Sequence, residues 1–267
     1  MSPERSIRIG RNRYLVESDD EYLTRMGPEF EPHTIALLNA FVDSSSVVAD
    51  VGANIGLTTL FLAEKARKVV AFEPSPSTFE ILERNVRRSG ASNIELVNCG
   101  LGNRHEQSTI TFSKRDRSGG FVSNLVRPEA GHVTETIDID RLDDRWSSQG
   151  ENLHLVKLDV EGFEQEVLEG ASETIRVHRP TVILELNHWC LNAFRRRTVP
   201  DFFDFLRETF PVLRALDHDN RNPRDLHDND QSYEVMHEHI VKFRYPTIVA
   251  GFDRAVAETA AKAPQSV

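Results

Sequence analysis

The sequence predicts an α/β fold built as a doubly wound sheet. Three observations carry this reading. Strand-like apolar runs alternate with amphipathic helical stretches from roughly residue 30 to 245. A glycine-bearing turn, Asp50–Val51–Gly52–Ala53–Asn54–Ile55–Gly56, joins the first run to a helix, and polar residues follow several runs at their carboxyl ends, where such sheets bind ligands.

Residues 1–30 mix short alternating stretches (Ile7, Ile9, Tyr14, Val16) with polar turns and read as a small hairpin or cap. Pro32 opens a helix with Ile35, Leu37, Leu38 and Phe41 on its apolar face, and Glu31 and His33 at its start are placed to form part of a lid. The first strand, residues 46–51, runs through the turn into a helix at 57–66. The second, 69–72, closes in Glu73. Pro74–Ser75–Pro76–Ser77 caps a helix through Arg88 that Gly90 ends, and residues 94–97 form the third strand, followed by Asn98–Cys99–Gly100.

Residues 105–140 read as a β insertion between the third and fourth strands. Within it 107–112 and 133–139 alternate like antiparallel strands around a glycine-bearing stretch at 118–125. The fourth strand, 153–158, leads into Asp159–Val160–Glu161–Gly162 and a helix at 163–169 stopped by Gly170. The fifth, 182–186, leads into Asn187–His188–Trp189. After a helix at 200–209, residues 212–216 and 239–243 are taken as the sixth and seventh strands, with 217–231 a long polar loop between them. The main domain thus spans 31–250, and the Ala-rich residues 251–267 are expected to be a disordered tail.

The turn also bears on the cofactor. In a dinucleotide fingerprint the first and last glycines are five apart, whereas Gly52 and Gly56 are four apart and Asn54 stands between them. A strand-terminal acid, Asp50, would repel phosphates but suits a ligand carrying an ammonium and a sulfonium, which points to S-adenosyl-L-methionine. Glu73 follows Gly52 by 21 residues, near the spacing at which an acid grips a ribose diol.

Composition narrows the partners. The 267 residues carry a net charge of -10, which argues against an extended nucleic-acid-binding face. Only Cys99 and Cys190 are present, each in or beside an apolar run, as expected of reduced thiols in a cytoplasmic protein. No stretch of eighteen apolar residues occurs, and the N-terminus leads into no apolar signal core.

Four segments together carry a family resemblance. They are Asp50–Gly56, Phe72–Glu73–Pro74, Val156–Lys157–Leu158–Asp159–Val160–Glu161–Gly162–Phe163–Glu164 with Leu168–Glu169–Gly170–Ala171, and Val182–Ile183–Leu184–Glu185. In order and spacing the chain resembles the FkbM family of S-adenosylmethionine-dependent methyltransferases. The resemblance implies a Rossmann-like, seven-stranded class I fold with an antiparallel seventh strand, and methyl transfer to hydroxyl groups of sugars, glycolipids and secondary metabolites. By position it implies that Gly52, Asn54 and Gly56 line the methionine moiety, Glu73 the ribose, Asn98 the adenine edge and Asp159 the reactive end of the cofactor.

Methyl transfer to a neutral hydroxyl calls for a base at a strand end. Asp159, Glu161 and His188 qualify by position, and His188 has the intrinsic pKa best suited to neutral pH. Glu161 also suits the start of the following helix as a dipole partner. Asp159, Glu185 and Asn187 have the oxygen chemistry of a Mg²⁺ site, but Leu186 separates the last two, and no metal is expected. Arg195, Arg196 and Arg197 would hold an anionic group on a small-molecule or glycan acceptor. The Asn/Asp-Pro-Pro-aromatic signature of amino methyltransferases is absent, which argues against amine or base acceptors; the competing readings are a nicotinamide oxidoreductase and an RNA-modifying or non-catalytic S-adenosylmethionine-binding protein.

Overall fold

The computed structural model describes residues 4–123, 131–147 and 149–263. Strands β1 (Glu4–Ile9) and β2 (Asn12–Glu17) form the expected N-terminal hairpin, followed by the short helix α1 (Tyr22–Arg25). Next come α2 (Pro32–Phe41), β3 (Val47–Val51), α3 (Leu57–Lys65), β4 (Lys68–Phe72), α4 (Pro76–Ser89) and β5 (Ile94–Val97). Ser75 caps α4 by accepting from the Thr78 amide, and Gly90 ends it at φ 72°. Four strands, β6 (Gly100–Leu101), β7 (Glu106–Ser113), β8 (Asp116–Val122) and β9 (His132–Asp140), then build a separate sheet in the order β6-β9-β7-β8. This is the expected insertion. Residues 124 and 125 of its glycine-bearing stretch lie outside the described residues.

The chain returns through α5 (Leu142–Ser147) to β10 (Leu155–Leu158), α6 (Glu164–Glu169), α7 (Ser172–His178) and β11 (Thr181–Glu185). It closes with α8 (His188–Arg195), α9 (Val199–Thr209), β12 (Val212–Leu216), β13 (Arg224–Asp225), α10 (Asn229–Lys242), β14 (Thr247–Gly251) and α11 (Arg254–Lys262). The main sheet runs β13-β12-β14-β11-β10-β3-β4-β5, with β14 antiparallel to both its neighbours. Seven strands form its body and two-residue β13 extends one edge. Strand order reverses between β3 and β10, and this switch point is where an open α/β sheet offers a crevice. Helices α2, α3, α4 and α11 share one core on one face with the hairpin, while the insertion, α6, α7 and α9 pack on the other.

Two expectations fail here. Residues 239–243 end helix α10 and its cap instead of forming the seventh strand, which is β14. Ile240 and Val241 are 48% and 62% exposed, whereas Ile248, Val249 and Ala250 are fully buried, so only the latter run fits a central position in the sheet. A short apolar run carries too little periodicity to distinguish helix from strand. The tail is also ordered as far as Ala263. Arg254–Lys262 is helical and buries Ala260 against the first core, because small side chains let the helix lie close to β12 and β14.

Candidate functional site

The turn after β3 is pinned on both sides. The amides of Gly52 and Ala53 both donate to the Phe72 carbonyl, holding the turn to the end of β4. Gly52 adopts φ 84°, and a Cβ there would stand 1.9 Å from the Asp159 carbonyl oxygen, so glycine is what lets β3 and β10 close at the switch point. At Gly56, φ 98°, a Cβ would press on Leu82 of α4 at 2.7 Å. The buried side-chain amide of Asn85 reaches across from α4 to the Ile55 carbonyl and to the Glu17 backbone, joining turn and hairpin.

Glu73 sits where the spacing predicts. Its carboxyl accepts the Asn54 amide at 2.9 Å on one oxygen and the Ser75 amide at 2.9 Å on the other, and burial pushes it up to about 7 against the pull of those amides. Asn54 itself is left-handed at φ 50°, and its side-chain oxygen is buried with no hydrogen-bond partner. The Asn98 amide donates to the carbonyls of Glu73 and Pro74 at 2.8 and 3.2 Å, so it fixes the loop carrying Glu73, and Cys99 and Gly100 line the cavity beside it.

Asp50 departs from expectation. It is fully buried beneath the turn, where one oxygen accepts Thr59 of α3 at 2.6 Å, and it does not line the cavity. Strand alternation sends its side chain toward the helix rather than the ligand. Burial raises its pKa, opposed by Lys157 and Thr59.

A cavity opens above this turn. Gly52, Asn54, Glu73, Asp159 and Glu161 line its polar side, while Phe112 and Ile139 of the insertion and Tyr22 and Phe30 of the N-terminal segment line the rest. Arg117 of β8 ties those two segments together. Its guanidinium meets both carboxylate oxygens of Asp19 at 2.7 Å and Ser77 at 2.6 Å.

At the carboxyl ends of β10 and β11, carboxylate oxygens of Asp159, Glu161 and Glu185 converge within 4.8 Å of one another. Lys157, almost wholly buried, places its ammonium 3.1 Å from Asp159. Burial works against both charges, but each partner holds the other ionised: Lys157 is raised, mainly by Asp159, and Asp159 is lowered. The Asp159 charge raises Glu185 strongly, so these two carboxyls share one proton. Burial, with Asp159 adding to it, pushes Glu161 up to about 7. Glu161 stands in left-handed backbone at φ 51°, and one of its oxygens accepts Cys190 Sγ at 3.0 Å and the Asn187 amide at 3.4 Å. The helix-start role weighed for Glu161 falls to Glu164, which accepts the Val160 and Gly162 amides.

Other expectations are corrected by position. His188 lies outside the cavity lining, its ring packed edge-on against His239 at 5.0 Å and against Phe243 at 5.6 Å, and its backbone amide is accepted by His239 Nε2. The first residue of α8 turns back toward α10, which places its ring away from the lining of this cavity. Arg195 and Arg197 are likewise occupied: both pair with buried Glu166, at 2.9 Å each, and Arg195 also lies over the Phe163 ring. Only Arg196 of the three is exposed at the surface. Asn187 caps α8, its side-chain oxygen accepting the Cys190 amide. Lys157 joins the site beyond the residues expected from sequence, and its signal there is a lysine within the apolar run Leu155–Leu158, a buried charge that needs partners.

The family model of the Methyltransferase FkbM domain matches residues 50–221. Methyltransferase 1 of Beauveria bassiana is 33% identical over 153 residues, 50% of this chain and 61% of that protein. The hexuronic acid methyltransferase AglP of Haloferax volcanii is 32% identical over 164 residues, 61% of this chain and 66% of its own. The chain therefore spans just under two thirds of these relatives' lengths. A solved FkbM methyltransferase from Methylobacillus flagellatus KT is 25% identical with a TM-score of 0.39, covering 54% of this chain and 33% of that one. Among the described residues no helix is long and apolar enough to cross a membrane.

Proposed function

Since the chain belongs to the FkbM family of methyltransferases, we propose that it is an S-adenosyl-L-methionine-dependent O-methyltransferase acting on a hydroxyl of a small molecule or glycan. The observation that carries this reading is the pairing, in one cavity, of a buried diol-binding carboxylate with a carboxyl group poised to take a proton. The residues fit the cofactor. Each oxygen of Glu73 has one backbone amide already and retains acceptor capacity for a ribose hydroxyl, and the orphaned Asn54 oxygen suits an ammonium donor. Cys99, Leu101 and Phe163 supply apolar surface for a purine.

When bound, S-adenosyl-L-methionine supplies an electrophilic methyl group on a sulfonium. The chain's own contribution is alignment and proton handling. Holding the acceptor oxygen in line is worth up to about 7–11 kcal/mol of the barrier. Glu161 takes the hydroxyl proton as the new bond forms, its carboxyl lying near 7 where a general base works best at neutral pH. Asp159 and Glu185, sharing a proton, orient that hydroxyl, and Lys157 keeps the net charge of the group from rising. Apolar walls from the insertion and the N-terminal segment exclude competing water.

Thermal shift separates this reading from a nicotinamide enzyme. S-adenosylhomocysteine at 100 times its Kd stabilises the protein by about 2.7 kcal/mol. Stabilisation by NAD and none by S-adenosylhomocysteine rejects it.

A further inference from the structure

A second cavity lies on the far side of the carboxyl cluster. It opens at the ends of β10 and β11, between the start of α2 and the loop after β12, and His33, Thr34, His218, Asn220, Phe243 and Pro246 line it. Glu31, Lys157, Asp159 and Glu185 line both cavities. Whatever occupies the second therefore meets the occupant of the first beside Asp159 and Glu185, the pair that orients the acceptor hydroxyl, while Glu161 approaches from the first cavity.

Its lining is of two kinds. One side offers imidazole, hydroxyl and amide groups, with Asn220 tying the loop to α2 through the His33 carbonyl at 2.9 Å. The other offers the Phe243 ring, held in place by His239 at 4.9 Å and His188 at 5.6 Å, beside Pro246. Hydroxyl partners opposite an aromatic face suit a hydroxylated ring, whose edge is polar and whose C–H face is apolar.

The charge is one-sided. Asp159 and Asp217 are held ionised while Glu31 and Glu185 are pushed toward the neutral form, and among the described lining residues the only Lys or Arg is Lys157, already committed to Asp159. His33 is drawn to Asp219 at 3.7 Å. An entering carboxylate or phosphate would meet like charge with no uncommitted guanidinium or ammonium to receive it.

We infer that the second cavity is the acceptor site and that it takes a hydroxylated ring bearing no acidic group. The inference rests on the first cavity being the cofactor site. It places the acceptor far from the use expected of Arg195–Arg197, and separates this chain from AglP, whose name specifies a hexuronic acid.

The test uses the S-adenosylhomocysteine-loaded protein and three matched probes: cyclohexane-1,2-diol, 2-aminocyclohexanol and 2-hydroxycyclohexanecarboxylate. Saturation-transfer NMR reads probe binding, and calorimetry reads S-adenosylhomocysteine affinity separately. The diol and the amino alcohol should bind at millimolar concentration and the carboxylate at least about tenfold more weakly. Thr34→Trp should fill the cavity and abolish the probe signal with cofactor-product affinity unchanged. His218→Trp, on an exposed loop, serves the same purpose should Thr34→Trp fail to fold. Equal or tighter binding of the carboxylate, binding that neither substitution reduces, or no binding of any probe overturns the inference. Loss of S-adenosylhomocysteine binding in the wild type instead overturns the cofactor reading on which it rests.

Discussion

Replacing Glu73 by Ala should weaken S-adenosylhomocysteine binding by about a hundredfold. The Glu73 carboxyl is 6% exposed, and each oxygen accepts one backbone amide, which aims its remaining lone pairs at the cavity. Two hydrogen bonds from a ribose diol to a charged acceptor are worth about 1.5–3 kcal/mol each, and tenfold in Kd costs only about 1.4 kcal/mol. Even one lost bond therefore gives tenfold, and two exceed a hundredfold before the turn relaxes. Titration calorimetry at pH 8 measures this directly, with Glu73→Gln as the variant that preserves volume. The same carboxyl makes binding pH-dependent. Diol donors favour its ionised form, and burial has raised it to about 7, so affinity should rise with pH and level off above that value. At pH 6, where most Glu73 is protonated, binding should be about tenfold weaker than at pH 8. For folding the sign is opposite. A carboxyl with a raised folded-state pKa stabilises the fold below its unfolded value, and that stability is lost as pH rises from 4.5 through about 7. Affinity of Glu73→Ala within about twofold of wild type, or wild-type affinity independent of pH between 6 and 8, refutes the ribose assignment.

Glu161→Gln should lower kcat by about 10²–10⁴-fold with S-adenosylhomocysteine affinity little changed, and should remove the rise in kcat/KM through pH 7; a retained pH profile excludes it as the base. His188→Ala should leave kcat within about threefold, less than 1 kcal/mol of barrier, because its ring packs on His239 and Phe243 outside the cavity lining; a hundredfold loss would return it to the chemistry. Gly52→Ala should cost about 3 kcal/mol or more in denaturant unfolding, since its Cβ would meet the Asp159 backbone, and a neutral effect would mean that the two strands separate freely. Replacing both Arg195 and Arg197 by Ala leaves buried Glu166 unpaired, at a cost of about 3–5 kcal/mol. Calorimetric melting should then fall by roughly 10 °C, whereas an intact Tm with a raised acceptor KM would restore the anion-binding role.

Local rules made much of this protein legible from its residues alone. Gly52 and Gly56 need positive φ, Ser75 and Gly90 bracket α4, and the spacing from Gly52 to Glu73 is one helix and one strand of chain. Each is a property of nearby covalent structure, so the glycine turn and the succession of strands and helices along the chain around it could be read in sequence. The antiparallel strand β14 could not be read this way. Its choice over residues 239–243 depends on which run is buried between β11 and β12, a fact about partners distant in the chain.

Side-chain direction and pairing belonged to the tertiary structure. Asp50 and Lys157 each occupy a strand whose pleat alone does not say what faces them. Packing turns Asp50 to Thr59 and aims Lys157 at Asp159. His188 and the arginines carry the right chemistry in the right region, but the His188 ring packs on His239 and Phe243 outside the lining of the first cavity, and Glu166 pairs with Arg195 and Arg197. The sequence alone determined which residue types reach the carboxyl edge of the sheet. Only the folded chain decided which of them keep a free valence there, because a carboxylate's charge, a lysine's partner and a cavity's sign are set by neighbours that the chain brings together through space.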